Sequence, residues 1–412
     1  MGGSEPMRLG FHYHEPAALQ DGRIRTSGAQ GRFLDSLARH CERVVCFLHT
    51  PRADEEELLD YALASQNVEL VPIGPHASVP RRLALAWMHT APVRQWRSRL
   101  DAILIRGPSP LLPAVARAAA GVPAALLLVS DYTTGTQDLA GPRWRKRLIR
   151  AWALWNQRQQ NRVAARSLTF VNSHELYAKF QPIAPALVET TTTTLTSADL
   201  WPREDTCLTP PYRLLYTGRM ARAKGILDLA EAAISLVESG EDVVVDLVGP
   251  PERSDSALEE VLAMAAGRGL AGRVRYHGYR ALGPELFAFY READVYVMPS
   301  HAEGFPRAVW EAMAHGLPVV ATRVGSIPHV LEGPGAAQLV DPGDSYLLAE
   351  AISNVIHDGD RRRGLIQKGL TLARANTLEA RAAEMVVSIC EWIGTNHAAA
   401  GSASPISSGV SR

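Results

Sequence analysis

Lysine is almost missing from this 412-residue chain: Lys146, Lys179, Lys224 and Lys368 stand against 39 arginines. The skew fits coding bias, yet it makes each retained lysine a residue to account for. Cysteine is equally scarce. Cys41, Cys46, Cys207 and Cys390 fall at no spacing that suits a disulfide framework or a metal site, so reduced thiols in a cytosol are expected. Net charge is zero, 43 bases balancing 43 acids, which removes any global pull toward nucleic acid or an anionic membrane. No apolar run approaches the ~18 residues that would span a bilayer. The opening Met-Gly-Gly-Ser-Glu-Pro lacks the basic and apolar regions of a signal peptide, so a cytoplasmic protein is expected. What remains is the composition of a soluble globular enzyme, 46% apolar and 21% charged. The length suggests two domains.

Short apolar runs alternate with amphipathic stretches, as in βαβ units around a parallel sheet. Strands are expected at Arg8–Tyr13, Arg43–His49, Val68–Ile73, Ala102–Arg106, Ala124–Val129 and Leu168–Val171. A threonine run (190–194) followed by Pro202, Pro210 and Pro211 reads as an extended connector. The alternation then restarts, with strands at Arg213–Tyr216, Val243–Val248, Val274–His277, Val295–Met298, Val319–Ala321 and Gln338–Val340. The economical organisation is α/β, two Rossmann-like halves: residues 1–195, a linker at 196–212, and a second half at 213–376. A final helix is expected at 377–396 and a disordered tail at 397–412.

The densest motif is Ser300-His-Ala-Glu303-Gly304-Phe305-Pro306, which leads into a helix carrying Glu311 and then Gly316-Leu-Pro318-Val-Val. A strand, a glycine turn and a helix whose free N–H groups face the turn suit a phosphorylated ligand. Two carboxylates can accept from hydroxyls, which a sugar and a ribose supply. If Pro306 opens the helix, the carboxylates lie roughly 8–12 Å apart at 1.5 Å rise per residue. Spacing alone is weak evidence, because Glu252 and Glu260 are also eight apart and chance supplies about one or two such pairs. A second anion-binding turn reads Tyr216-Thr-Gly218-Arg219-Met-Ala-Arg-Ala-Lys224-Gly225. There an arginine fork and a compact ammonium bracket a helix start.

Together these segments resemble the donor site of the retaining GT-B glycosyltransferases of the GT4-like (glycosyl transferases group 1) family, with specific motifs confined to residues 213–345. The resemblance implies two doubly wound domains facing a cleft, with the last helix crossing back to the first domain. It implies no cofactor or metal, a nucleotide-diphosphate sugar as co-substrate, and transfer to a hydroxyl acceptor (a glycan, a lipid-linked glycan or a small aglycone) with retention. By resemblance Glu303 contacts the donor hexose and supports charge at its anomeric carbon. The Gly304 and Phe305 N–H groups meet hydroxyls or phosphate, Glu311 accepts from the ribose, and Arg219 and Lys224 hold the departing diphosphate beside Gly218. Tyr279 and Arg280 fall where such enzymes hold the base, though both also suit an ordinary strand end. In the first half His12 and His14 follow the first strand, and Gly28 and Gly31 lie in a glycine-rich turn. By resemblance these four belong to a loop near the acceptor and the donor phosphate, while His12 and His14 equally suit a polar strand end.

The chain departs from the family in three places. Ser130-Asp131 stands where many members carry a histidine, and Asp131 is the candidate to replace it. Threonines replace an Asn-Gly turn at the connector. His329 replaces the glutamate of a Gly-Gly-x-x-Glu loop. A nucleotide-sugar epimerase, a sugar phosphorylase or a catalytically silent binding scaffold are the alternatives, and no nucleic-acid partner is expected. Finally, residues 143–155 place Trp144, Leu148, Trp152 and Trp155 on one helical stripe among bases. That suits either a helix packed on the sheet or peripheral contact with an anionic membrane.

Overall fold

The computed structural model describes residues 7–133, 143–252 and 255–401. The chain divides into two compact units: residues up to Asn172, Leu176–Thr190 and from Arg381 onward in the first, Ser173–Glu175 and Thr191–Ala380 in the second. Each is built on one all-parallel sheet. The first has seven strands: β1 (Arg8–Pro16), β2 (Arg43–Thr50), β3 (Val68–Pro75), β4 (Ala102–Gly107), β5 (Ala124–Leu128), β6 (Leu168–Val171) and β7 (Ala186–Glu189), in the order 3-2-1-4-5-6-7. The second has six: β8 (Tyr212–Thr217), β9 (Val243–Val248), β10 (Val274–Tyr276), β11 (Val295–Met298), β12 (Val319–Thr322) and β13 (Gln338–Val340), in the order 10-9-8-11-12-13. Both orders are doubly wound. The central strands are almost entirely buried, which is why they read as continuous apolar runs rather than as alternation.

Four features depart from the sequence reading. β7 closes the first sheet just before the threonine run. A small antiparallel sheet joins Ala18–Gln20, Arg23–Thr26 and Tyr61–Ala62 beside the first unit's main sheet. Residues 196–212 are not a free linker, because they are fastened into the second unit. The Arg203 guanidinium donates to the carbonyls of Tyr290, Arg291, Ala293 and His315 at 2.9–3.1 Å. Trp201 N donates to Ala314 O at 2.8 Å, and Cys207 N donates to Asp294 at 2.8 Å. The last helix runs Leu378–Gly401, longer than expected, and from Arg381 it belongs to the first unit. Residues 402–412, most of the expected tail, lie outside the described part of the chain.

Candidate active site

In a doubly wound sheet the ligand crevice opens at the carboxyl ends of the two strands where the order reverses. In the second unit those strands are β8 and β11, neighbours through Leu214↔Val295. The loop after β8 carries Gly218, Arg219 and Lys224, and the loop after β11 carries Glu303. The fold therefore brings the two sequence motifs to its switch point.

Backbone contacts lock these loops together. His301 N donates to Ala223 O at 3.0 Å, and Ser326 N to Gly304 O at 2.8 Å. Gly225 sits at φ +67°, and a Cβ there would lie 1.9 Å from Pro299 O. Gly325, at φ +55°, would place a Cβ 1.9 Å from Glu303 O and 2.7 Å from Gly304 O. Only glycine meets both demands at either position. The loops after β9 and β10 join the same row, Gly218 N donating to Val248 O and Gly249 N to Gly278 O at 2.9 Å.

Within this frame Lys224 Nζ donates to Glu303 Oε1 at 2.6 Å, and Ser300 Oγ donates to the same oxygen at 2.8 Å. Both ends of the ion pair are half-buried. The ammonium has three N–H groups, so two stay available for phosphate oxygens while the third fixes Glu303. Arg219 is 64% exposed and pairs with Glu252 at 2.8 Å. Such an exposed pair contributes about 0–1 kcal/mol, so a diphosphate can take the guanidinium at little cost. Gly304 is exposed, whereas Phe305 turns inward and stacks on Trp310 with centroids 4.7 Å apart. The helix Arg307–Ala314 starts at Pro306, whose ring supplies no side-chain cap.

Glu311 is not a surface helix carboxylate. It is 7% exposed, with Oε1 accepting from Thr194 Oγ1 at 2.5 Å and Oε2 from Tyr290 OH at 2.8 Å. Thr217 and Tyr296 extend the chain of hydroxyls behind Tyr290, at 2.6 and 3.3 Å. Burial beside Glu311 drives the Tyr290 phenol well above its ordinary range, so it stays a donor. His315, stacked on Tyr290, is pushed down to about 4 by burial and is neutral. Tyr279 is exposed at the end of the β10 loop, and Arg280 folds back to donate to Tyr279 O at 2.9 Å while resting 6.0 Å from the Phe289 ring centroid. His329 stacks on His174 at 4.6 Å.

Most candidates in the first unit are already bonded within it. His12 is not a loop ligand: it lies inside β1, fully buried, with Nδ1 at 2.8 Å from Phe47 O and Nε2 at 3.2 Å from Ser109 Oγ. His14 lies near the end of β1, with Nδ1 buried and unpartnered. Burial pushes both imidazoles down to about 4. The glycine-rich turn is not an open anion cradle either. Gly28 N donates to Asp60 at 2.7 Å, and a Cβ on Gly31 would lie 2.2 Å from the Tyr61 ring, so that glycine serves packing. Asp131 follows β5, pairs with Lys179, and accepts from Thr133 N and Oγ1 at 2.8 Å.

Four participants escaped the sequence reading. Ser300, Glu252 and Thr194 lay in segments singled out above without an individual role, while Tyr290 carries no motif and becomes visible only through the buried network around Glu311.

Residues 211–358 match the family model described as Glycosyl transferases group 1. A D-inositol 3-phosphate glycosyltransferase of Corynebacterium diphtheriae is 32% identical over 180 residues, 43% of this chain and 41% of that protein. The match thus spans about two-fifths of that relative's length. Among solved structures, a sucrose-phosphate synthase from Thermosynechococcus elongatus superposes with TM-score 0.67 at 18% identity, over 97% of this chain and 100% of that one. The Anabaena protein HepE, in a complex with UDP-glucose, gives 0.66 at 19% identity over 95% and 100%. The chain carries the two-domain GT-B fold, and its residues 211–358 are similar to the glycosyl transferases group 1 family.

Proposed function

We propose that this chain is a glycosyltransferase that moves a sugar from a nucleotide-diphosphate sugar to a hydroxyl acceptor with retention of anomeric configuration. The observation that carries the reading is the Lys224–Glu303 pair, held by Ser300 and by glycine-dependent loop contacts at the switch point of a group 1 domain. Arg219 leaves Glu252 for the diphosphate, and Lys224 bridges a phosphate oxygen and Glu303. The Glu311 lone pairs not used by Thr194 and Tyr290 receive the ribose hydroxyls, and Tyr279 or Arg280 borders the base. As the bond from the anomeric carbon to the phosphate oxygen breaks, its electron pair stays on the diphosphate, where the two cations stabilise it. The acceptor oxygen bonds to the anomeric carbon on the leaving-group face, and its proton passes to the departing phosphate oxygen. Asp131 takes the sugar-contacting place that many family members give to histidine. This mechanism needs no metal, so turnover in excess chelator should persist. The setting we propose is cytoplasmic, with peripheral membrane contact through residues 143–155.

HepE was crystallised with UDP-glucose, which makes UDP-sugars the first donors to try. The test is a thermal-shift panel of nucleotide diphosphates and their sugars on wild type, Arg219→Ala and Lys224→Ala. A ligand at 100 times its Kd stabilises by about 2.7 kcal/mol, a shift of a few degrees. One base should stand out and lose its effect in both variants. Turnover should fall by about 10²–10³-fold in Lys224→Ala. Absence of a shift with every nucleotide would end the proposal.

A further inference from the structure

The helix Arg143–Ala164 is amphipathic the wrong way round for a packed helix. Its buried residues are Ala153, Asn156, Gln157, Gln160 and Ala164, all small or polar. At about 100° per residue they cluster on one side, roughly opposite Trp144, Leu148, Ala151 and Trp155. Those four follow the i, i+4, i+7, i+11 spacing of one stripe, and it faces solvent: Trp144 is 65% exposed, Leu148 62% and Trp155 51%. Trp152, at the stripe's edge, leans inward with its ring edge-on to Tyr132. A helix that buries glutamines and shows tryptophans to water leaves its hydrophobic free energy unused in the folded chain.

Charge narrows what would cover this stripe. The helix holds seven Lys and Arg and no acid, in a chain whose net charge is zero. Arg143, Arg145, Lys146, Arg147 and Arg150 crowd the first two turns, around Trp144 and Leu148. Tryptophan prefers the level of lipid headgroups, and arginine stems can cross apolar ground while the guanidinium meets phosphate. Stacked nucleobases would suit the tryptophans but leave Leu148 and Ala151 without a counterpart. No described helix is long and apolar enough to cross a membrane.

We propose that the Trp144–Trp155 stripe is a docking surface for the face of a lipid bilayer rich in anionic headgroups, with the helix lying in the interface plane. The inference deepens the peripheral contact proposed above by naming its face and the anionic headgroups it meets, and it stands on the first unit alone, apart from the reaction.

The test is co-sedimentation of the full chain with vesicles of phosphatidylcholine alone or mixed with phosphatidylglycerol, with tryptophan emission recorded alongside. Wild type should pellet with the anionic vesicles, shift its emission to the blue, and release as salt rises. The triple variant Trp144→Ser, Leu148→Ser, Trp155→Ser should bind at least about tenfold more weakly, because only apolar insertion is lost. Arg145→Gln with Arg147→Gln should cost roughly fivefold per charge. All five side chains are exposed, so the variants should fold, and a retained nucleotide-induced thermal shift would confirm it independently of lipid binding. Wild type that ignores anionic vesicles, or a triple variant that binds as wild type does, overturns the proposal. So does a vesicle-independent dimer abolished by the triple variant, or an oligonucleotide complex that depends on the charges alone.

Discussion

The two units share a winding order and differ in what their strand-end loops do with it. In the second, glycines at positive φ let backbones approach closely, and the loops present Lys224, Arg219 and Glu303 with partners that are exposed or have bonding capacity to spare. In the first, equivalent positions are satisfied internally: Asp60 takes the Gly28 N–H, Lys179 takes Asp131, and Phe47 with Ser109 takes His12. Near one switch point the cations keep N–H groups to spare, whereas near the other the candidate groups bond one another. A shared topology thus supplies a place for a site, and the local residues decide whether it is open.

The sharpest way to break that contrast is Gly225→Ala. The new methyl meets Pro299 O in a left-handed backbone, so we expect a loss of about 2 kcal/mol or more, together with donor affinity. A differential-scanning trace showing wild-type stability would mean that the loop-locking account is wrong. Acid provides a second test. Burial pushes His12 and His14 down to about 4 and His49 to about 3 in the first unit, against His315 at about 4 in the second. Their folded values lie below the ordinary 6.5, so folding holds them neutral. Their contribution is complete above pH 6.5 and is lost as pH falls from there toward 4, by up to about 1.4 kcal/mol per pH unit for each histidine. Hydrogen exchange between pH 7 and 4.5 should therefore expose the first unit's strands earlier. Equal slopes in the two units would contradict this assignment. The smallest effect belongs to Glu252→Gln, which frees Arg219 at a stability change under about 1 kcal/mol. Titration with a nucleotide diphosphate should show equal or tighter binding, and clearly weaker binding would give Glu252 a direct part in the site.

How far the sequence discloses this molecule depends on the kind of contact. All twelve expected strands are present because a buried parallel strand must be apolar along its whole length, which composition records. β7 was hidden: its four residues, Ala186–Glu189, are only partly buried and end in a charge. The small sheet had a signal in Asp21-Gly22, a pair at φ +51° and +74° of the kind two-residue hairpins require. In the candidate site, the placement of Glu303 near Lys224 is legible because each sits on a short loop next to a glycine. The sequestration of Glu311 is not, since it depends on hydroxyls 117 and 21 residues away in sequence. The outward stripe of Arg143–Ala164 illustrates a different limit: periodicity finds an apolar face without revealing which way it points.

The fastening of the threonine run has a consequence for anyone recombining the two units. Thr191 bonds Asn376 and Thr194 bonds Glu311, so the segment leaving the first unit is already part of the second unit's interior. A chimera joined at the proline-rich stretch would import foreign residues beneath its own helix Arg307–Ala314. The natural seam lies at Thr190, upstream of the two threonines that hold Asn376 and Glu311.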